Sequence, residues 1–233
     1  MTTPLLDCVE LTTGHGQPRH AVIWLHGLGA DGHDFAGIVP ELNLPDDLPV
    51  RFVFPHAPMI PVTINHGYLL RAWYDILHAD GVERTVDQAG IHASRQQIEA
   101  LIAREAARGV PAERLALVGF SQGGAMAYVT GLSHAQPLAG VAALSTYIPN
   151  LADLDALRQP ANHATPVFAA HGEFDNVVPL ALGQQAVEAL LERNQPLRWQ
   201  TYPMMHTVCE EEISELGGWL TSVLRQADKT ATV

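Results

Sequence analysis

Short apolar runs alternate along this chain with segments whose apolar residues recur at helical spacing. The runs at residues 20–26, 50–55, 114–120, 138–145, 166–170 and 197–202 are rich in β-branched, aromatic or small apolar side chains. Most are continuous rather than alternating, which is the pattern of strands covered on both faces. Between them, segment 87–108 carries Ile91, Ile98, Leu101 and Ile102 on one helical face, and Gly109 with Pro111 ends the pattern. Helices are also expected over 122–133, 180–193 and 211–226. Strand and helix in alternation predict an α/β fold with a mostly parallel central sheet flanked by helices. A chain of 233 residues without repeats suits one domain, 1–226, with no room for a large cap. Residues 227–233 lack an apolar period and are expected to fray.

Segment 55–86 breaks this rhythm. It holds Pro55, Pro58 and Pro61, scattered glycines and short apolar clusters, with no period long enough for a helix. Loops of this length in compact domains are commonly functional. Tyr68, Leu69, Leu70, Trp73 and Tyr74 are too apolar for a disordered linker, so the segment reads as a loop folded over a site.

Composition narrows the classes of function. Acidic residues outnumber basic ones 25 to 13, a formal charge of −12, which disfavours a nucleic-acid partner. No apolar run approaches the roughly 20 residues of a membrane span, and the opening Met1-Thr2-Thr3-Pro4 lacks a basic signal region, so a cytoplasmic protein without stable membrane insertion is expected. Cys8 and Cys209 stand near opposite ends of a chain that needs no staple, and free thiols are expected. The 12 histidines show no metal-ligand spacing and read as dispersed, so no metal is expected.

The chemistry concentrates at Gly119-Phe120-Ser121-Gln122-Gly123. This G-x-S-x-G directly follows an expected strand and directly precedes a helix start, the context of a nucleophile elbow in the α/β-hydrolase fold. A serine hydroxyl needs a base to take its proton and an acid to orient that base. In elbow proteins the acid and then the histidine follow the serine in chain order. Downstream of the acids His206 is the one histidine, just past the last expected strand. Of the acids in between, Glu188 and Glu192 read as a solvated helix face, and Asp153 and Asp155 precede rather than follow a strand. Asp175 follows the strand 166–170 through a loop and is the expected acid, with Glu173 as runner-up. Amides of Gln122 and of Leu28, in the loop His26-Gly27-Leu28-Gly29-Ala30-Asp31-Gly32, are expected to form the oxyanion hole.

These motifs, with Leu144-Ser145-Thr146-Tyr147, His171-Gly172, Asp175-Asn176-Val177-Val178-Pro179 and Tyr202-Pro203, resemble the phospholipase/carboxylesterase family that includes acyl-protein thioesterases. The resemblance spans nearly the whole chain. It implies the same triad and oxyanion donors and an acyl pocket lined by Trp73, Val178 and neighbours of the long loop, while acyl-enzyme chemistry itself requires no cofactor. One departure is Met205, where the family commonly has glycine, so a side chain there is expected to narrow the pocket or fill its wall. The expected activity is a serine carboxylesterase acting on small-molecule esters of short to medium chain. An acyl-protein thioesterase or a lysophospholipase is the alternative, and a catalytically silent ligand-binding protein is the alternative of another class. Assembly as a homodimer is left open.

Overall fold

The computed structural model describes residues 4–230. A seven-stranded sheet runs through the molecule in the order β1-β3-β2-β8-β9-β10-β11. Its strands are β1 Cys8–Thr13, β2 His20–Leu25, β3 Val50–Pro55, β8 Leu115–Phe120, β9 Gly140–Leu144, β10 Val167–Gly172 and β11 Leu197–Tyr202. All neighbours pair in parallel except the edge strand β1, which runs antiparallel to β3. Between β3 and the first helix lie two hairpins, β4 Met59–Val62 with β5 Tyr68–Arg71, and β6 Ile76–Asp80 with β7 Glu83–Val86. The helices are α1 Gln88–Ala107, α2 Gln122–Ser133, α3 Leu151–Leu157, α4 Leu180–Glu192 and α5 Glu210–Thr230. This is the α/β-hydrolase fold without a large cap.

The continuous apolar strands fill two layers at once. In β2, Ala21, Ile23 and Leu25 pack with Ile91, Ile98 and Leu101 of α1 and Met126 of α2. Val22 and Trp24 face the other way, toward Leu216, Leu220 and Leu224 of α5. Alternate side chains of one strand thus cover opposite faces, which is why the central strands carry few polar positions.

Two expectations change. The expected fraying tail starts inside α5, which continues to Thr230. Ala227 is buried, and Asp228 lies 3.2 Å from the buried His20 and 3.4 Å from Arg114, contacts that hold the last turns. Residues 231–233 of that expected tail lie outside the described residues. Segment 55–86 is not an irregular loop but two short hairpins. Cys8 and Cys209 are free thiols. Among the described residues no helix is long and apolar enough to cross a membrane.

Candidate active site

Ser121 sits between β8 and α2 at φ 54°, ψ −120°. A non-glycine residue held there costs about 1–3 kcal/mol and persists only where its surroundings impose it. Here they do. The Ser121 amide donates to the Leu144 carbonyl at 2.8 Å, and the Thr146 hydroxyl donates to the Ser121 carbonyl at 2.6 Å. Crossing chain segments also demand glycine on either side of the turn. A Cβ at Gly119 would run into the Gly123 carbonyl, and one at Gly123 into the Leu25 carbonyl.

The loops after β10 and β11 bring the other two groups. His206 Nε2 is 2.9 Å from Ser121 Oγ, and His206 Nδ1 is 2.7 Å from Asp175 Oδ2. A carboxylate only accepts, so the proton on the imidazole belongs to Nδ1 and the Nε2 lone pair faces the serine hydroxyl. Asp175 Oδ1 accepts from the amides of Val177 at 2.9 Å and Val178 at 2.8 Å. Burial works to raise the Asp175 carboxyl, but the His206 hydrogen bond and these amides together hold it below the ordinary value. Glu173, the runner-up acid, instead accepts from the Thr201 hydroxyl at 3.0 Å and is exposed.

The cleft above Ser121 has a volume of about 230 Å³. Leu28, Ile64, Ile76, Phe120, Tyr147 and Val178 give it apolar walls, and Gln122 lies at its floor. Among the described residues no acceptor engages the Leu28 amide. Gln122 is the first residue of α2, so its amide has no carbonyl a turn earlier to bond. Both amides therefore remain available to a developing oxyanion beside Ser121.

Of the residues expected to line an acyl pocket, Val178 is in the lining of this cleft. Trp73 stands behind the wall: it is buried, its indole donates to the His26 carbonyl at 2.9 Å and its amide donates to the Gln122 side chain at 2.8 Å. Met205 is 55% exposed and outside the lining. Tyr68 and Leu69 are likewise exposed, and the hairpins reach the cleft through Ile64, Ile76 and Arg84 instead.

The fold adds partners that spacing did not indicate. The Gln122 side chain also donates to the Tyr74 carbonyl at 2.8 Å, so this one residue ties the hairpin segment to the elbow. Its signal was a lone long polar residue at a helix start of small ones. His171 is buried within β10, bonds the Val178 carbonyl through Nε2 at 2.8 Å and lies 3.5 Å from Asp175 Oδ2. Burial pushes its imidazole down, so it stays neutral and fixes the acid loop. A histidine inside an apolar run was the visible signal. The histidines are also less dispersed than expected, since donor atoms of Asp31, His33 and His56 lie within 4.8 Å of one another. Those donors already have partners: Gly32 N–H donates to His56 Nδ1 at 3.1 Å and His33 N–H to Asp31 at 2.8 Å.

Residues 6–224 match the phospholipase/carboxylesterase family, and the chain belongs to it. It is 40% identical over 223 residues to acyl-protein thioesterase 1 of Neurospora crassa, covering 91% of each chain. It is 38% identical over 222 residues to acyl-protein thioesterase 1 of Mycosarcoma maydis, covering 89% of this chain and 92% of that one. Among solved structures it resembles Zea mays acyl-protein thioesterase 2, with TM-score 0.82, 25% identity and coverage of 94% and 99%. It also resembles esterase PE8, with TM-score 0.81, 29% identity and coverage of 95% and 100%. The protein is a hydrolase of the esterase/thioesterase kind.

Proposed function

We propose that the protein is a serine hydrolase that cleaves acyl thioesters and carboxylic esters through an acyl-enzyme, with Ser121 as nucleophile, His206 as base and Asp175 as the acid that orients it. The observation that carries this reading is the unbroken line from Asp175 Oδ2 to His206 at 2.7 Å and on to Ser121 Oγ at 2.9 Å. In the first step His206 Nε2 takes the hydroxyl proton as Oγ attacks the acyl carbon. The carbonyl electron pair moves to oxygen, where the Leu28 and Gln122 amides receive it. Collapse breaks the bond to the leaving group, which departs with the proton from His206 Nε2. Water repeats the sequence on the acyl-enzyme, releasing the acid and restoring the serine. The relay requires neither metal nor organic cofactor.

The sequence reading with its family resemblance puts general carboxylesterase first, but relatives named acyl-protein thioesterase at 38% and 40% identity favour the thioesterase alternative. The same relay serves both bonds, and the cleft decides the substrate. Labelling with a fluorophosphonate probe tests the nucleophile: wild type should label and Ser121→Ala should not. Paired acyl thioesters and oxygen esters of matched chain length then test the leaving group. A folded wild-type protein that neither labels nor turns over either series would remove the reading.

A further inference from the structure

Arg84 is the cation in the cleft wall. It stands in β7, and its guanidinium donates from Nη2 to the Val177 carbonyl at 2.5 Å and lies 5.5 Å from the centroid of the Tyr147 ring. Among the described residues no carboxylate pairs with it, although this chain carries 25 acids against 13 bases. Its Nε is buried without an acceptor. Tyr147 does not neutralise it, because burial pushes that phenol up and keeps it uncharged. The phenol of Tyr74, 3.0 Å from that of Tyr147, is pushed up by burial as well. A guanidinium taken partly out of water without an anion leaves hydrogen-bonding and charge capacity unused. Its planar fork matches a carboxylate or phosphate group.

The one acid in the lining, Asp34, comes from a different wall, the segment that follows Leu28. Burial, with Asp31 nearby, pushes its carboxyl up. The cleft therefore favours an anion at the hairpin wall and disfavours one beside the oxyanion loop. The net charge of −12 does not draw anions from a distance, so any preference has to come from this local contact.

Resting on the hydrolase reading above, we propose that Arg84 is an anion subsite, and that the favoured substrates are esters or thioesters bearing a carboxylate or comparable anion on the group that reaches the Val177–Tyr147 wall. That anion can sit on the acyl chain, as in a half-ester of a dicarboxylic acid, or on the leaving group. Two substrate pairs separate these sources. The first is p-nitrophenyl hemiglutarate against its uncharged isostere p-nitrophenyl 5-methylhexanoate. The second is O-butyrylglycolate against isobutyl butyrate.

In wild type, kcat/KM for the anionic member of one pair should exceed that of its isostere by about tenfold, the scale of one hydrogen bond to a charged group. Arg84→Gln should bring that ratio to about one, and Arg84→Lys should retain part of it. A ratio at or below one in both pairs for wild type would overturn the proposal. So would a ratio unchanged in Arg84→Gln while both members slow together, the result expected if Arg84 only fastens the hairpin to Val177. Fluorophosphonate labelling of the same samples keeps the two readings apart. Labelling with a flat ratio sinks the anion subsite alone, whereas no labelling and no turnover sinks the hydrolase reading and the subsite with it.

Discussion

The two walls of the cleft are built in opposite ways. Ser121, Asp175 and His206 hang on the ends of β8, β10 and β11, with β9 between the first two, in a sheet buried on both faces, and each of the three is tied into hydrogen bonds. The facing wall is two hairpins of four- and five-residue strands, with Tyr68, Leu69, Leu77 and Val82 open to solvent. The first wall takes its precision from the sheet; the second borrows it through a few contacts. Chemistry therefore depends on many supports, and substrate choice on few.

The largest expected effect comes from removing the proposed nucleophile on the precise wall. Ser121→Ala should lower kcat on a p-nitrophenyl ester by as much as about 10⁶-fold, the loss known for a triad nucleophile, while circular dichroism stays that of the wild type. A folded variant with wild-type turnover would show that the strained serine is not the nucleophile.

A substitution at the join of the two walls comes next. Gln122→Ala keeps the amide proposed to receive the oxyanion but deprives the buried Trp73 amide and Tyr74 carbonyl of their partners. Each unpaired buried group costs about 1–3 kcal/mol, so the melting temperature should fall. The hairpin wall should also loosen, with kcat/KM dropping about tenfold to a hundredfold, mostly through KM. Unchanged kinetics would mean that the hairpins hold their place without the elbow.

A buried carboxyl lies just past the base loop of the precise wall. Glu212 lies in the first turn of α5, just past the loop that carries His206, and is fully buried with no hydrogen bond of ordinary geometry to either carboxyl oxygen. Burial, against a weaker pull from the Cys209 amide, pushes its carboxyl up to about 8. The folded value lies above the unfolded one, so its stability contribution is complete below the unfolded carboxylate range, declines as pH rises toward 8, and stays lost above it. Glu212→Gln should thus match the wild type near pH 4 and melt several degrees higher at pH 8–9. A gain independent of pH would show that Glu212 is ionised in the folded protein.

The same contrast explains what the sequence disclosed. β3 and β11 run over the expected residues, and the three side chains expected to act together, Ser121, Asp175 and His206, do lie within hydrogen-bond reach, because a buried strand end leaves little choice of position. β1 was missed because its Glu10, Thr12 and Thr13 interrupt the apolar signal of an edge strand that is covered on one side only. α3 was missed because it is seven residues long and starts from the Asn150 cap rather than an apolar period. The hairpins escaped because Pro61 lies inside β4 and β7 is mostly exposed, so neither strand alternates cleanly. Trp73 was recognised as important but assigned to the wrong side of the wall, since no pattern tells which face a residue in a short hairpin segment presents. Arg84 gave no signal at all, because its meaning depends on Val177 and Tyr147, distant in sequence.

The smallest expected effect concerns Met205, where the departure from the family's glycine led to the expectation of a side chain that narrows the pocket or fills its wall. Its side chain is more than half exposed, while the carbonyls of Met204 and Met205 pack against Gly172 and the Met205 carbonyl accepts from the Thr207 amide at 3.0 Å. What this position contributes to the site is therefore backbone, which glycine retains. Met205→Gly adds conformational freedom to the unfolded loop, a cost of roughly 0.5–1 kcal/mol, or a few degrees in melting temperature. The profile of kcat/KM against acyl chain length should keep its shape, with absolute values within about threefold of the wild type. A profile that extends to longer chains in Met205→Gly would mean that this side chain reaches the cleft when substrate binds. The base loop would then belong, in function, with the adaptable wall rather than with the precise one.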